Sequence, residues 1–137
     1  MMSAYSKPLP DINDANRPFW EALRRRELRL LRCDSCGELR LHPFRRCPHC
    51  SHEKATWTTL SGKGKVWTKT VFHQLYFEGF RNDVPYNVVV IEMDEGPRLY
   101  SNIVGTDNTD IRIGDRVEAC FDDVTPDVTL LKFSIIR

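Results

Sequence analysis

Hydrophobic and polar positions change their period twice along this chain. Residues 1–12 hold Pro8 and Pro10 and few apolar groups, which predicts a flexible lead segment. From Asn13 to Arg26 the period is helical: Phe19, Trp20 and Leu23 fall at i, i+1 and i+4 on one face, Asn13 or Asn16 can cap the N-terminus, and Pro18 suits the first turn. Too short to be stable alone, that helix needs a surface to cover, either in its own chain or on a partner. Leu28, Leu30 and Arg32 then alternate with Arg29 and Leu31, a short strand whose returning partner is marked by Leu39 and Leu41.

From residue 55 onward the period is two. Trp57 to Phe72 reads as one long strand bent at Ser61-Gly62-Lys63-Gly64, where glycine permits a bulge. Asn87–Met93, Leu99–Val104, Arg116–Phe121 and Thr129–Ile136 supply four more strands. Asp94-Glu95-Gly96-Pro97 makes a hairpin turn, and Ile113-Gly114-Asp115 opens the fourth strand. Five strands led by a long bent one predict a small barrel of the OB type, with an SH3-like barrel as the principal competitor.

Between helix and barrel stand two cysteine pairs, Cys33-Asp34-Ser35-Cys36 and Cys47-Pro48-His49-Cys50, with ten residues between them. Two residues between thiolates let one tight turn aim both sulfurs at one centre, and two such turns complete a tetrahedral shell suited to Zn²⁺. The start, MMSAYSKPLPDINDAN, has no signal-peptide pattern, which points to the cytoplasm and away from disulfides. Iron of the rubredoxin type uses the same shell, but zinc is the expected metal. A closed four-sulfur shell leaves no position for water or substrate, so the metal is expected to be structural. Gly37 suits the turn after the first pair, whereas Ser51 holds the equivalent place after the second. His42, His49 and His52 are expected beside the site rather than in it, and Cys120 as a free thiol in or near the core. The fold class is therefore mainly β: an N-terminal stretch and helix (1–26), a rubredoxin-like zinc ribbon (27–54) and a five-stranded OB-fold barrel (55–137).

Composition and charge narrow the functional classes. With 137 residues and 41% hydrophobic content the chain can bury a core, and no apolar run approaches the roughly 18 residues that cross a bilayer. Residues 1–54 hold 11 Lys and Arg against 7 Asp and Glu, and residues 55–137 hold 9 against 12, so the halves are +4 and −3. Single-strand nucleic-acid binding, the alternative function for a ribbon joined to an OB barrel, calls for a basic barrel with exposed aromatics, and the acidic balance weighs against it. No nucleophile elbow, phosphate-cradling loop or HExxH is present. His73 and Cys120 form the one plausible imidazole and thiol pair, and nothing in the sequence orients it.

The run Phe19-Trp20-Glu21-Ala22-Leu23, the knuckles CDSCG and CPHC, and then SGKGKVWTKTVFH, GFRNDVPYNVVVIEMDEGPRLYSNIVG, IGD and CFDDV resemble the zinc-ribbon/OB-fold family formerly called DUF35. Two departures stand out: Arg26 where the family often has Gly, and Glu78 where Pro often precedes Gly-Phe. The resemblance implies a non-catalytic accessory subunit, hetero-oligomeric with a thiolase-like, ketoacyl-synthase-like or aldolase-like enzyme, and implicated in acyl-CoA binding or channelling. The candidate partner or acyl-CoA contacts are Phe19 and Trp20 on the helix, Arg45 and Arg46 beside the second knuckle, and Tyr76, Phe77 and Phe80 in the long first barrel loop. Guanidinium groups match CoA phosphates, although such a run also suits a solvated face or a protein interface. The three aromatics either plug one end of the barrel or meet a partner.

Overall fold

The computed structural model describes residues 5–41 and 44–137. Helix α1 (Arg17–Arg24) is shorter at both ends than the helical period suggests. Its start is displaced because Asn13 closes a turn of its own: its Oδ1 accepts the N–H groups of Ala15 and Asn16, and its carbonyl accepts Arg17 N–H at 2.9 Å. The end is set by Arg26, which takes φ 65°. Glu27 N–H then reaches the Ala22 carbonyl at 2.9 Å and Arg26 N–H the Leu23 carbonyl at 3.0 Å, a Schellman closure with arginine where glycine is usual. The Arg26 guanidinium pairs with both carboxylate oxygens of Asp123, at 2.8 and 2.6 Å.

The ribbon is a three-stranded antiparallel sheet in the order β2-β1-β3, from β1 (Arg29–Cys33), β2 (Leu39–Arg40) and β3 (Ala55–Thr59). The stretch expected as one long barrel strand is thus two strands. Ala55–Thr59 pairs with β1 through five residue pairs and stays in the ribbon sheet. The chain then breaks at Ser61-Gly62, with Gly62 at φ 76°, before the barrel begins.

The barrel comprises β4 (Lys63–Phe72), β5 (Tyr86–Met93), β6 (Arg98–Ser101), β7 (Arg116–Asp123) and β8 (Thr129–Ile135), in the order β6-β5-β4-β7-β8. A bulge at Trp67 bends β4 three residues later than the glycines suggest. Ahead of it, Gly64 sits where β4 pairs with Met93 of β5 and Val117 of β7 together; a Cβ there would collide with the Glu92 carbonyl. The two outer strands meet through a parallel bridge between Ile103 and Phe133, with Val104 N–H to Phe133 O at 2.9 Å and Phe133 N–H to Asn102 O at 3.0 Å. This antiparallel five-strand order with a parallel closure is the OB topology, not the SH3-like one.

Alternation along β5 sends Asn87, Val89, Ile91 and Met93 inward and Val88, Val90 and Glu92 outward. The core joins Val66, Val89, Ile91, Met93, Ile103, Ile111, Val117 and Phe133 of the barrel to Leu28, Leu30 and Leu60 from the ribbon side. Ribbon and barrel therefore share one interior. Helix α1 lies on β1, β7 and β8 and buries Ala22 and Leu23 fully. No helix among the described residues is long and apolar enough to cross a membrane.

Candidate functional site

Cys33 ends β1 and Cys36 follows its turn, while Cys47 and Cys50 sit on a second turn of the same design. In each turn the residue after the second cysteine has positive φ, 80° at Gly37 and 67° at Ser51, and donates its N–H to the carbonyl of the first cysteine, at 3.0 and 2.8 Å. The amides inside each turn face sulfur: Ser35 N–H lies 3.4 Å from Cys33 Sγ, and His49 N–H 3.4 Å from Cys47 Sγ. Ser51 therefore adopts the glycine-like conformation in spite of its side chain.

All four Sγ atoms lie within 4.8 Å of one another, and the pairs Cys33–Cys50 and Cys36–Cys47 are each 3.6 Å apart. Zinc–sulfur bonds of about 2.3 Å at tetrahedral angles require sulfur–sulfur edges of about 3.8 Å, so the shell is shaped for a metal without rearrangement. The electrostatics agree. The Cys36 N–H, with help from Ser35, holds the Cys33 thiol down to about 6, and the N–H groups of Cys50 and His49 lower Cys47 likewise. Cys36 is pushed up to about 12: the Glu38 N–H favours its thiolate, but desolvation and the three neighbouring thiols outweigh it. Four thiolates this close need a cation among them. Among the described residues no His, Asp or Glu joins the cluster. His49 and His52 contribute through their backbones, and His42 lies outside the described residues.

The remaining candidates separate. Phe19 and Trp20 pack edge to face at 5.0 Å and line a cleft against Leu23, Leu99, Leu130, Leu131 and Lys132, over the seam between β6 and β8. Arg45 and Arg46 are exposed, and Arg46 is engaged by Glu53 at 2.9 Å. In the long loop the aromatics divide: Phe80 stacks on Tyr86 at 5.2 Å and is half-buried, while Tyr76 and Phe77 remain 63% and 57% exposed. The lead segment docks on this loop, where Lys7 pairs with Asp83 and a Cβ on Gly79 would collide with the Ser6 backbone. Glu78, in place of the family's proline, grips Arg81. Cys120 has Ser134 rather than His73 as its side-chain partner, and burial raises its thiol above the ordinary range.

Sequence reasoning missed Arg40 and the β8 wall of the cleft. Arg40 is 3% exposed and ties the second knuckle to β2, donating to the carbonyls of Phe44 and His52 at 2.9 Å each. The consecutive leucines 130 and 131 break the alternation of β8. That break was the available signal for an apolar surface outside the core.

Residues 20–55 match the rubredoxin-like zinc ribbon domain of ChsH2, and residues 57–122 match the C-terminal OB-fold domain of ChsH2. A DUF35 domain-containing scaffold protein of Methanocaldococcus jannaschii is 36% identical over 98 residues, 71% of this chain and 69% of that protein. The chain belongs to the DUF35 family. Among solved structures, this DUF35 protein superposes on a chain of the Ltp2-ChsH2(DUF35) aldolase with TM-score 0.82 and 34% identity, covering 93% of this chain and 98% of that one. A probable enoyl-CoA hydratase alpha subunit of Thermomonospora curvata is 36% identical over 129 residues; the match takes in 93% of the chain but 39% of that longer relative. A DUF35-family structure from Sulfolobus solfataricus at 16% identity and TM-score 0.63 shares the fold.

Proposed function

We propose that this chain is a non-catalytic accessory subunit that binds and supports a thiolase-like or aldolase-like acyl-CoA enzyme, with a four-cysteine zinc site that is purely structural. The observation carrying this reading is the near full-length likeness to the DUF35 chain of an aldolase assembly. The relative named as a hydratase alpha subunit also points to acyl-CoA chemistry. The closed sulfur shell supports a metal that holds the two knuckles of the ribbon together and leaves chemistry to another chain. Zinc is preferred to iron because the ribbon domain it resembles is a zinc ribbon, and a cytoplasmic setting keeps the thiols reduced. Alternative binding of single-stranded nucleic acid has weaker support: Arg98 lies over the Trp67 ring at 4.1 Å and is paired with Glu92, leaving Tyr100 as the free aromatic beside them.

Co-expression with the thiolase-like or aldolase-like enzyme encoded nearest this chain tests the proposal. A stoichiometric complex, and loss of enzyme activity or stability without the subunit, is the expected result. Separate elution, with full enzyme activity in the subunit's absence, would refute it.

A further inference from the structure

Strand β6 is an edge of the barrel sheet, paired with β5 alone. Met93 N–H donates to the Pro97 carbonyl at 2.9 Å, and the pairs Ile91–Leu99 and Val89–Ser101 follow in the same phase. Alternation therefore turns the backbone N–H and C=O groups of Arg98 and Tyr100 away from β5. No ladder joins this edge to β8 among the described residues. The ties between the two lie at the far end: the Ser101 hydroxyl donates to the Leu131 carbonyl at 2.9 Å, and the bridge from Ile103 to Phe133 follows. Arg98–Tyr100 and Leu130–Leu131 instead line opposite parts of the cleft of about 400 Å³ described above.

Folded proteins usually guard a sheet edge with a charge, a bulge or a covering segment. Here the one charge on β6 is engaged elsewhere, since Arg98 lies over the Trp67 ring at 4.1 Å and pairs with Glu92 at 3.2 Å. Tyr100 next to it is 83% exposed. The cleft wall is apolar, built from Trp20, Leu23, Leu30, Leu99 and Leu131. Its two charged lining residues are both matched: Arg98 by Glu92, and Lys132 by the Asn102 Oδ1 at 2.7 Å with Asp122 beside it. A charged ligand would find no free counter-charge, and a purely apolar one would leave the β6 backbone groups unused. An uncharged, extended polypeptide meets both demands, with its main chain on the edge and alternate side chains on the wall.

We propose that this open seam takes up an extended, uncharged segment of a partner protein, which adds a strand to β6 and seats alternate apolar side chains between Trp20 and Leu131. Pairing with β6 of a second copy would satisfy the edge but bring only Leu99 to the wall, and Leu99 already packs on its own core. The site deepens the accessory-subunit reading, on which it rests only for the identity of the partner, the acyl-CoA enzyme.

Amide-resolved hydrogen exchange tests the site in the isolated chain, in its co-expressed complex with the enzyme, and with a capped Thr-Val-Thr-Val-Thr-Val peptide. The Arg98 and Tyr100 amides should exchange freely in the isolated chain, slow at least roughly tenfold in the complex, and slow to a lesser degree with the peptide. The Leu99 amide, which faces β5, should stay protected throughout. Proline is tolerated on an edge whose N–H faces outward, so Tyr100→Pro should fold. It should bind the enzyme about tenfold more weakly than Tyr100→Ala, which also lacks the ring but keeps the donor. Unslowed exchange at Arg98 and Tyr100 in a stable complex, or equal affinity of the two folded variants, would overturn the site and leave the accessory-subunit reading standing. An enzyme that elutes separately while the peptide still slows both amides would do the reverse. Exchange unslowed by enzyme and peptide alike, or slowed in the isolated chain as a dimer forms with rising concentration, would also overturn the site.

Discussion

Truncating Leu23 to alanine is the most informative single perturbation of this architecture. The side chain is 0% exposed and fills the base of the contact between α1 and the barrel. Removing a buried leucine costs about 2–5 kcal/mol; here the adjoining cleft lets neighbours settle into part of the void, which places the cost near 3 kcal/mol. Eight residues cannot hold a helix in water without packing, so the loss should appear as undocking of α1 rather than uniform weakening. Hydrogen exchange reads this directly. The amides of Arg25, Arg26 and Glu27, bonded to carbonyls of α1, should exchange roughly 100-fold faster in Leu23→Ala. Acceleration below tenfold at these amides would refute the picture of a helix held mainly by this one contact.

Three further outcomes follow from the geometry. Chelation, or Cys47→Ser, should unfold the two knuckles and return on adding zinc only in the wild type, with cobalt giving the absorption of tetrahedral sulfur ligation; retention of ribbon resonances in the metal-free protein would sink the structural role. Arg26→Asn should fold with unchanged α1 while Arg26→Val, which tolerates φ 65° poorly, should be less stable by about 1–2 kcal/mol in urea melts; equal midpoints would contradict the assigned cap. Asp123 accepts from Arg26 and from Thr129, which together hold its carboxyl well below the usual range. Its folded pKa is depressed, so its contribution is present above the unfolded value of about 3.9 and is lost as pH falls through the lower folded value. Asp123→Asn should therefore flatten the loss of stability on going from pH 5 to pH 2, and an unchanged slope would reject the pairing.

The architecture was legible wherever periodicity and turn chemistry agreed. Strand β5 showed its inward and outward faces in the alternation Val89-Val90-Ile91-Glu92-Met93, and its hairpin in Asp94-Glu95-Gly96. The metal shell was legible because cysteine spacing encodes geometry without help from distant residues. Residues 55–59 were less so: an alternating strand does not declare which sheet it joins, and only pairing with Arg29–Cys33 decides it. The cleft was least legible, because its walls come from α1, β6 and β8, and its one local mark was a pair of leucines out of phase. Arg26 was noticed as a departure from glycine, yet its left-handed backbone cannot be seen without the Ala22 and Leu23 carbonyls it helps to close.

The short register between β4 and β7 gives the barrel a seam of another kind. Only Lys63, Gly64 and Lys65 pair across it, whereas β4 and β5 share eight residue pairs and β7 and β8 seven. The meander β4-β5-β6 and the hairpin β7-β8 are thus two locally cohesive pieces, clasped at Gly64 on one side and at Phe133 on the other. A chain emerging from the ribosome can complete the first piece before the second is made. The interior that holds Leu28 and Leu30 closes only when the last strand arrives, so the C-terminal hairpin sets when this molecule becomes a single cooperative unit.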